Sequence, residues 1–275
     1  MPLLHIVILA VIQGITEFLP ISSSGHLVLA WNSFDGLNMD GIEQSERDRL
    51  TLDIAVHVGT LLAVCAYVWR DLWQIGGGMA RLAVGRWTPA GRLGVLIVLC
   101  SLPLVAVGGL FMDQISQHLR STAVIGWATL GFGLLLYAAD RSAMTLRRLD
   151  HMTFRAGLII GFAQVLALIP GTSRSGITMT AARFLGFERV EAARFSLLLA
   201  IPAILGAGTL AGLELYESGN LLLGFEALVG GTVAFVVALI SILLMVGWLR
   251  RASFTPFVIY RVLLGAGLLW WVYGT

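Results

Sequence analysis

Lysine is absent: all 18 basic residues are arginine. Charged residues of both signs make up only 12% of the 275 residues, against about 25% in an average soluble domain. That scarcity excludes an ordinary soluble enzyme and a disordered chain. Cysteine is nearly missing too. Cys65 and Cys100 both lie in apolar runs and read as small core residues, not as a disulfide or a metal pair. No basic stretch opens the chain, so Met1–Ala10 does not read as a cleavable signal peptide. There is no Walker-type glycine loop and no Cys/His metal spacing, which leaves ATP-driven transport without support. A net charge of +2 is too small to suggest a nucleic-acid partner.

What the chain has is apolar length. Its apolar fraction is 57% and its mean hydropathy +0.87, which predicts an all-α polytopic membrane protein. Six stretches are long enough to span: Leu52–Trp69, Leu93–Phe111, Ala123–Ala139, Phe195–Leu213, Ala227–Leu249 and Pro256–Tyr273. The connecting charges alternate. Arg70, Arg81, Arg86 and Arg92 lie in one loop, Arg141, Arg147, Arg148 and Arg155 in another, and Arg250 with Arg251 in a third. Between them fall the acid-rich Asp35–Asp48 loop and the Glu214–Glu226 loop, which has no arginine. Basic loops stay in the cytoplasm, so the acidic loops are predicted to face outside.

Two further apolar segments are interrupted. Leu3–Ala30 breaks at Pro20–Gly25, and Arg155–Phe187 breaks at Pro170–Gly176. Each half is too short to span, and the charge count works only if both are re-entrant helix pairs. The breaks resemble each other: Phe18-Leu19-Pro20-Ile21-Ser22-Ser23-Ser24-Gly25 sets beside Leu168-Ile169-Pro170-Gly171-Thr172-Ser173-Arg174-Ser175-Gly176 with one residue inserted. Entered from opposite sides, they form the pattern of an inverted-topology repeat. The whole chain, 1–275, is predicted to be one membrane domain. Its halves lie near 1–112 and 123–249, and a C-terminal helix follows at 256–273.

The breaks carry the polar residues. Gln13 and Glu17, four apart, share a helix face. Ser22, Ser23, Ser24, Gly25 and His26 follow. An ionisable group at membrane depth costs about 2.5–3.5 kcal/mol on insertion scales, so Glu17, Ser23 and His26 together point to function, whereas Ser22 alone reads as a helix cap. In the second break, Thr172, Ser173, Arg174, Ser175 and Gly176 combine hydroxyls, a guanidinium and a small-residue turn opening a helix. That is an anion site, most naturally for phosphate. Glu17 or His26 could activate a hydroxyl or water, and Arg174 could neutralise charge on a transferring phosphoryl group. Outside the breaks, Asp53 and His57, four apart, are expected to pair in the core, with a supporting role beside the site as the alternative. Arg261 is expected to snorkel to the cytoplasmic interface. Trp69, Trp73 and Trp248 are expected to anchor span ends.

The run from Gln13 to His26 resembles the first signature of the undecaprenyl-diphosphate phosphatase family of the bacitracin-resistance type. Pro170–Gly176 resembles its second signature, and Phe254-Thr255-Pro256-Phe257-Val258-Ile259-Tyr260-Arg261 its C-terminal segment. The resemblance implies a multi-pass bacterial inner-membrane enzyme with its active site open to the periplasm. It implies removal of the terminal phosphate of undecaprenyl diphosphate, which recycles the lipid carrier for peptidoglycan synthesis and confers bacitracin resistance. By position, Glu17, Ser23, His26, Ser173 and Arg174 match residues of catalysis and diphosphate binding. Gln13, Ser22, Ser24, Thr172, Ser175 and Gly176 complete the expected substrate contacts. A divalent cation, Mg²⁺ or Ca²⁺, is implied, with Glu17 as its one assignable ligand. Ser23 is the preferred nucleophile with His26 as base or orienter, and His26 itself is the alternative nucleophile. The implied partners are the polyprenyl diphosphate and the bilayer. The oligomeric state stays open between monomer and homodimer. A lipid-phosphate transporter and a non-catalytic lipid-binding protein are the rival classes, and only an enzyme releases phosphate without a sealed membrane.

Overall fold

A computed structural model describes residues 3–36, 46–142, 147–218 and 221–274. Most of the acidic Asp35–Asp48 loop and part of the Leu213–Ala227 connection lie outside the described residues or have side chains that do. The described chain is all helical: α1 (Leu3–Thr16), α2 (Ser23–Gly36), α3 (Glu46–Tyr67), α4 (Trp69–Ala83), α5 (Pro89–His118), α6 (Thr122–Ser142), α7 (Phe154–Val165), α8 (Arg174–Phe184), α9 (Arg189–Ser218), α10 (Leu221–Leu249) and α11 (Thr255–Tyr273).

Four stretches are long and apolar enough to cross a membrane: Pro89–Phe111, Thr122–Ser142, Gly224–Leu249 and Thr255–Tyr273. A fifth is counted if Ala55–Tyr67 and α4 form one bent span. The predicted span Phe195–Leu213 falls within α9. Outward faces are apolar: Leu110, Leu228, Leu244 and Leu263 are each about two-thirds exposed or more. In water such a belt would be costly at roughly 25 cal/mol per Å²; against hydrocarbon it is not.

Both interrupted segments are helix pairs, as the sequence predicts, but the breaks fall earlier than read. They end at Ser22 and Ser173, so Ser23–Gly25 and Arg174–Gly176 are first helical turns. The reason is the cap. Ser22 Oγ accepts from Gly25 N at 3.4 Å, and Ser173 Oγ accepts from Gly176 N at 3.1 Å. These two serines are the only non-glycine residues with positive φ among the described residues, at 77° and 72°. Left-handed backbone costs a non-glycine residue about 1–2 kcal/mol, and a serine cap returns about 1 kcal/mol of that.

One element was read differently from the sequence. The stretch after the first span reads as a basic loop, yet Trp69–Ala83 is a helix bent 80° from Ala55–Tyr67 at Val68. Gly76-Gly77-Gly78 disguises it. Gly78 is needed for packing, since a Cβ there would lie 2.3 Å from the backbone nitrogen of Gly91. With Leu72 and Ile75 turned inward and Trp73 80% exposed, α4 is an amphipathic element set against the start of α5.

Beyond that helix the packing has a pattern. Helix α1 lies on α10 and α7 lies on α5; α3 lies on α10 and α9 lies on α5; α6 packs against α11. Cys65 and Cys100 are free thiols, Cys100 buried, in line with their reading as core residues.

Candidate active site

The two breaks meet. Ser22 Oγ accepts from Gly171 N at 3.1 Å, and Ser175 Oγ donates to Leu19 O at 2.9 Å. A charged clamp lies beneath them. Arg261, fully buried on α11, donates through Nη1 to Pro20 O (3.2 Å) in the first break. Its Nη2 reaches Gly171 O (3.0 Å) and Thr172 O (2.9 Å) in the second, and its Nε reaches Thr129 O (3.0 Å) on α6. The expectation that Arg261 snorkels to an interface is therefore corrected. Irregular backbone at membrane depth leaves carbonyls without partners, and a guanidinium fork is the side chain that satisfies several at once. Gly171 is fixed by the same junction. Its φ is +95°, and a Cβ would lie 2.6 Å from Ile125 O.

On this frame one constellation is assembled. Glu17, buried just past the end of α1, accepts from Ser23 Oγ at 2.7 Å and from Gln13 Nε2 at 2.8 Å, both through Oε2. Its Oε1 accepts from Arg174 Nη2 at 3.1 Å. Arg174, at the first position of α8, also donates to Ser196 O on α9 at 3.2 Å. The first-turn ends of α2 and α8 thus converge on one carboxylate, each presenting the positive end of its dipole.

The predicted residues divide into two groups. Gln13, Glu17, Ser23 and Arg174 come together. Ser22, Ser173 and Ser175 are buried, with their hydroxyls engaged in caps and cross-links between the breaks; Ser173 and Ser175 also bond each other at 3.0 Å. Gly176 is buried in the first turn of α8, and Thr172 is fully buried with its carbonyl on Arg261. Ser24 is exposed. His26 does not bond Ser23. Its Nδ1 donates to Ser22 O at 2.6 Å, and its Nε2 accepts from Tyr260 OH at 2.6 Å, in a stacked pair with 5.7 Å between ring centroids.

Two participants lie outside the expected site residues. His57 is not an Asp53 side-chain partner: its Nδ1 donates to the Asp53 carbonyl at 2.5 Å, and its Nε2 stands 3.8 Å from Glu17 Oε2. The Asp53 carboxylate instead accepts from Trp31 Nε1 at 3.0 Å. Tyr260 is the other, through His26. The signal for His57 was available, since an ionisable residue inside a predicted span is a functional candidate by default.

The Mg²⁺ or Ca²⁺ implied by the resemblance finds no cage. Among the described residues, no three His, Cys, Asp or Glu side chains cluster to hold an ion. Glu17 has one oxygen on a guanidinium and the other on two donors, so a cation there would stand against Arg174. With Arg174 in this position neither Glu17 oxygen is free for a divalent ion, and the bond it makes with Ser23 is suited to acid–base chemistry.

Comparison with known proteins agrees with the motifs. A family model described as bacitracin resistance protein BacA matches residues 6–267. The chain is 50% identical to undecaprenyl-diphosphatase 1 of Rhodospirillum rubrum, over 98% of this chain and 95% of that protein. It is 49% identical to the undecaprenyl-diphosphatase of Chromohalobacter salexigens and 45% identical to that of a Jannaschia species, each over 98% of both chains. With matches of this extent, and with both signature breaks folded into one polar junction, the chain belongs to the BacA bacitracin-resistance protein family.

Proposed function

We propose that the chain hydrolyses undecaprenyl diphosphate to undecaprenyl phosphate and inorganic phosphate, with Ser23 as nucleophile and Glu17 as its base. The observation that carries this reading is the 2.7 Å hydrogen bond from Ser23 Oγ to a Glu17 carboxylate that is also paired with Arg174 from the other break. A hydroxyl is a weak nucleophile until an adjacent base takes its proton, and here the base is in place.

The polyprenyl tail stays in the bilayer while the diphosphate enters beside Ser23. Arg174 turns from Glu17 and Ser196 O to the phosphate oxygens, where a planar guanidinium binds in bidentate fashion. The Ser23 Oγ–P bond forms as the bridging P–O bond breaks. The Ser23 proton passes to Glu17, which hands it to the oxygen of the departing undecaprenyl phosphate and is again a free carboxylate. Water then attacks the phosphoserine, giving a proton to Glu17 and displacing Ser23 Oγ, which is reprotonated as inorganic phosphate leaves. His26, tied to Ser22 O and Tyr260, orients the turn that carries Ser23. Gln13 holds Glu17 through Oε2, and His57 Nε2 stands 3.8 Å from the same oxygen. Every group named comes from one chain, so the reaction does not require a homodimer.

The predicted six spans, two re-entrant pairs and inverted repeat remain the topology we favour. The matched serine caps support the repeat, and so does the exchange of packing partners, α1 on α10 against α7 on α5. The α6–α11 pairing favours halves of 3–142 and 154–273, which moves the third span into the first half. We place the cleft on the periplasmic side from the arginine count. An Arg251→Cys variant, exposed just after α10, should then react with a membrane-impermeant maleimide only after permeabilisation; labelling of intact cells would invert the topology.

The function is tested by phosphate release from undecaprenyl diphosphate in detergent. Wild type should turn over, and Arg174→Ala should fall by about 10²–10³-fold, the scale of losing one charge-stabilising donor. No release from folded wild type supplied with divalent ion would move the assignment to transport or lipid binding.

A further inference from the structure

A cavity lined by both arginines and apolar side chains lies away from the Ser23 constellation. It has a volume of about 820 Å³ and sits between α4, the start of α5 and the 149–152 turn. None of the residues assigned to the phosphatase site lines it. We propose that it binds the headgroup of an anionic phospholipid at the membrane interface.

Charge is the first argument. Arg81, Arg92 and Arg194 line the cavity against Asp71 and Asp150. Asp71 is already engaged: Arg194 donates to it through both Nε (3.0 Å) and Nη2. Arg92 donates through Nη2 to Met152 O at 2.7 Å and lies 5.5 Å from the Phe154 ring centroid. Among the described residues its Nε–H, out of water, has no acceptor. A buried donor left unpaired is costly, so the guanidinium gains by turning toward a phosphate oxygen in the cavity. Arg81 is exposed at the last turn of α4 and supplies a second guanidinium to the same anion.

The walls decide which anion. Behind the arginines the lining is apolar, with Ile75, Leu93, Leu96 and Leu149. At the rim, Trp73 and Trp87 are 80% and 65% exposed. Free phosphate has no use for that surface. A lipid does, because exposed tryptophan at headgroup level with arginine beside it is how proteins meet an anionic leaflet. The 80° bend at Val68 sends α4, one wall of the cavity, out of the line of α3.

The test is native mass spectrometry of detergent-purified protein titrated with phosphatidylglycerol or phosphatidylcholine. Wild type should retain phosphatidylglycerol at least tenfold better. Arg81→Gln, at an exposed position that leaves the packing intact, should lose most of that preference, and Arg81→Gln with Arg92→Gln should lose all of it. Arg251→Gln, outside the cavity, should keep it. Equal retention of both lipids by wild type, or an unchanged preference in folded Arg81→Gln and the double variant, would overturn the proposal. Displacement of bound phosphatidylglycerol by millimolar inorganic phosphate would also overturn it, in favour of a soluble-anion pocket.

Discussion

Alanine at position 23 will reduce phosphate release from undecaprenyl diphosphate by about 10⁴-fold or more, the scale seen when a hydroxyl nucleophile is removed. The expectation follows from geometry. Ser23 Oγ is the group hydrogen-bonded to the site's carboxylate, and it stands at the start of α2, half-buried and within reach of a substrate. Glu17→Gln should cost about 10³-fold, because the amide keeps the shape but cannot accept the proton. His26→Asn should cost less than either, since His26 touches Ser22 O and Tyr260 and makes no bond to Ser23. Turnover of substrate labelled in its terminal phosphate, quenched in neutral denaturant and then split between acid and base, should leave an acid-stable, base-labile phosphoserine on the peptide containing residue 23. A base-stable, acid-labile label at residue 26 would make His26 the nucleophile. Release within tenfold of wild type from Ser23→Ala would refute the mechanism.

How far the sequence reaches depends on whether a feature is local. The long helices are legible because an apolar run of spanning length has no other use. Both breaks are legible because proline and small polar residues interrupt such runs. The Ser22 cap is legible too, whereas Ser173 reads as an anion contact and its cap emerges only in the fold. Glu17 and Ser23 could be named as participants, but their contact depends on a turn whose path no propensity specifies. Helix α4 was hidden because its three glycines and its arginines look like a loop, and its helical form is supported by packing of Gly78 on α5. His57 was misread for a related reason. An i, i+4 pairing with Asp53 was the nearest explanation in the sequence, while the carboxylate it faces lies across the fold, just past the end of α1. A broken helix exposes a demand for donors; the residue that meets the demand can come from any part of the chain.

Arg261 is that residue, and its replacement should have the largest structural effect of any single change at the junction. It lies 241 positions from Pro20, whose carbonyl it holds, and it serves the second break and α6 as well. Arg261→Met fills similar volume but leaves those carbonyls without a donor inside the membrane. Each buried group so orphaned costs about 1–3 kcal/mol, and several are lost together. Arg261→Met should therefore lower the unfolding temperature in detergent markedly and reduce phosphate release more than 10²-fold. Arg261→Lys keeps the charge but replaces a planar fork with a point donor, so it should recover part of the stability and little of the rate. The two readouts separate a clamp from a substrate ligand. Arg261 is fully buried, so loss of the clamp should lower kcat together with stability, because Glu17 and Arg174 drift apart when the breaks separate. A folded, wild-type-stable Arg261→Lys with only KM raised would mean that the guanidinium reaches the diphosphate itself. Retention of both stability and rate by Arg261→Met would mean that the two breaks hold each other through Ser22, Ser175 and Gly171 alone.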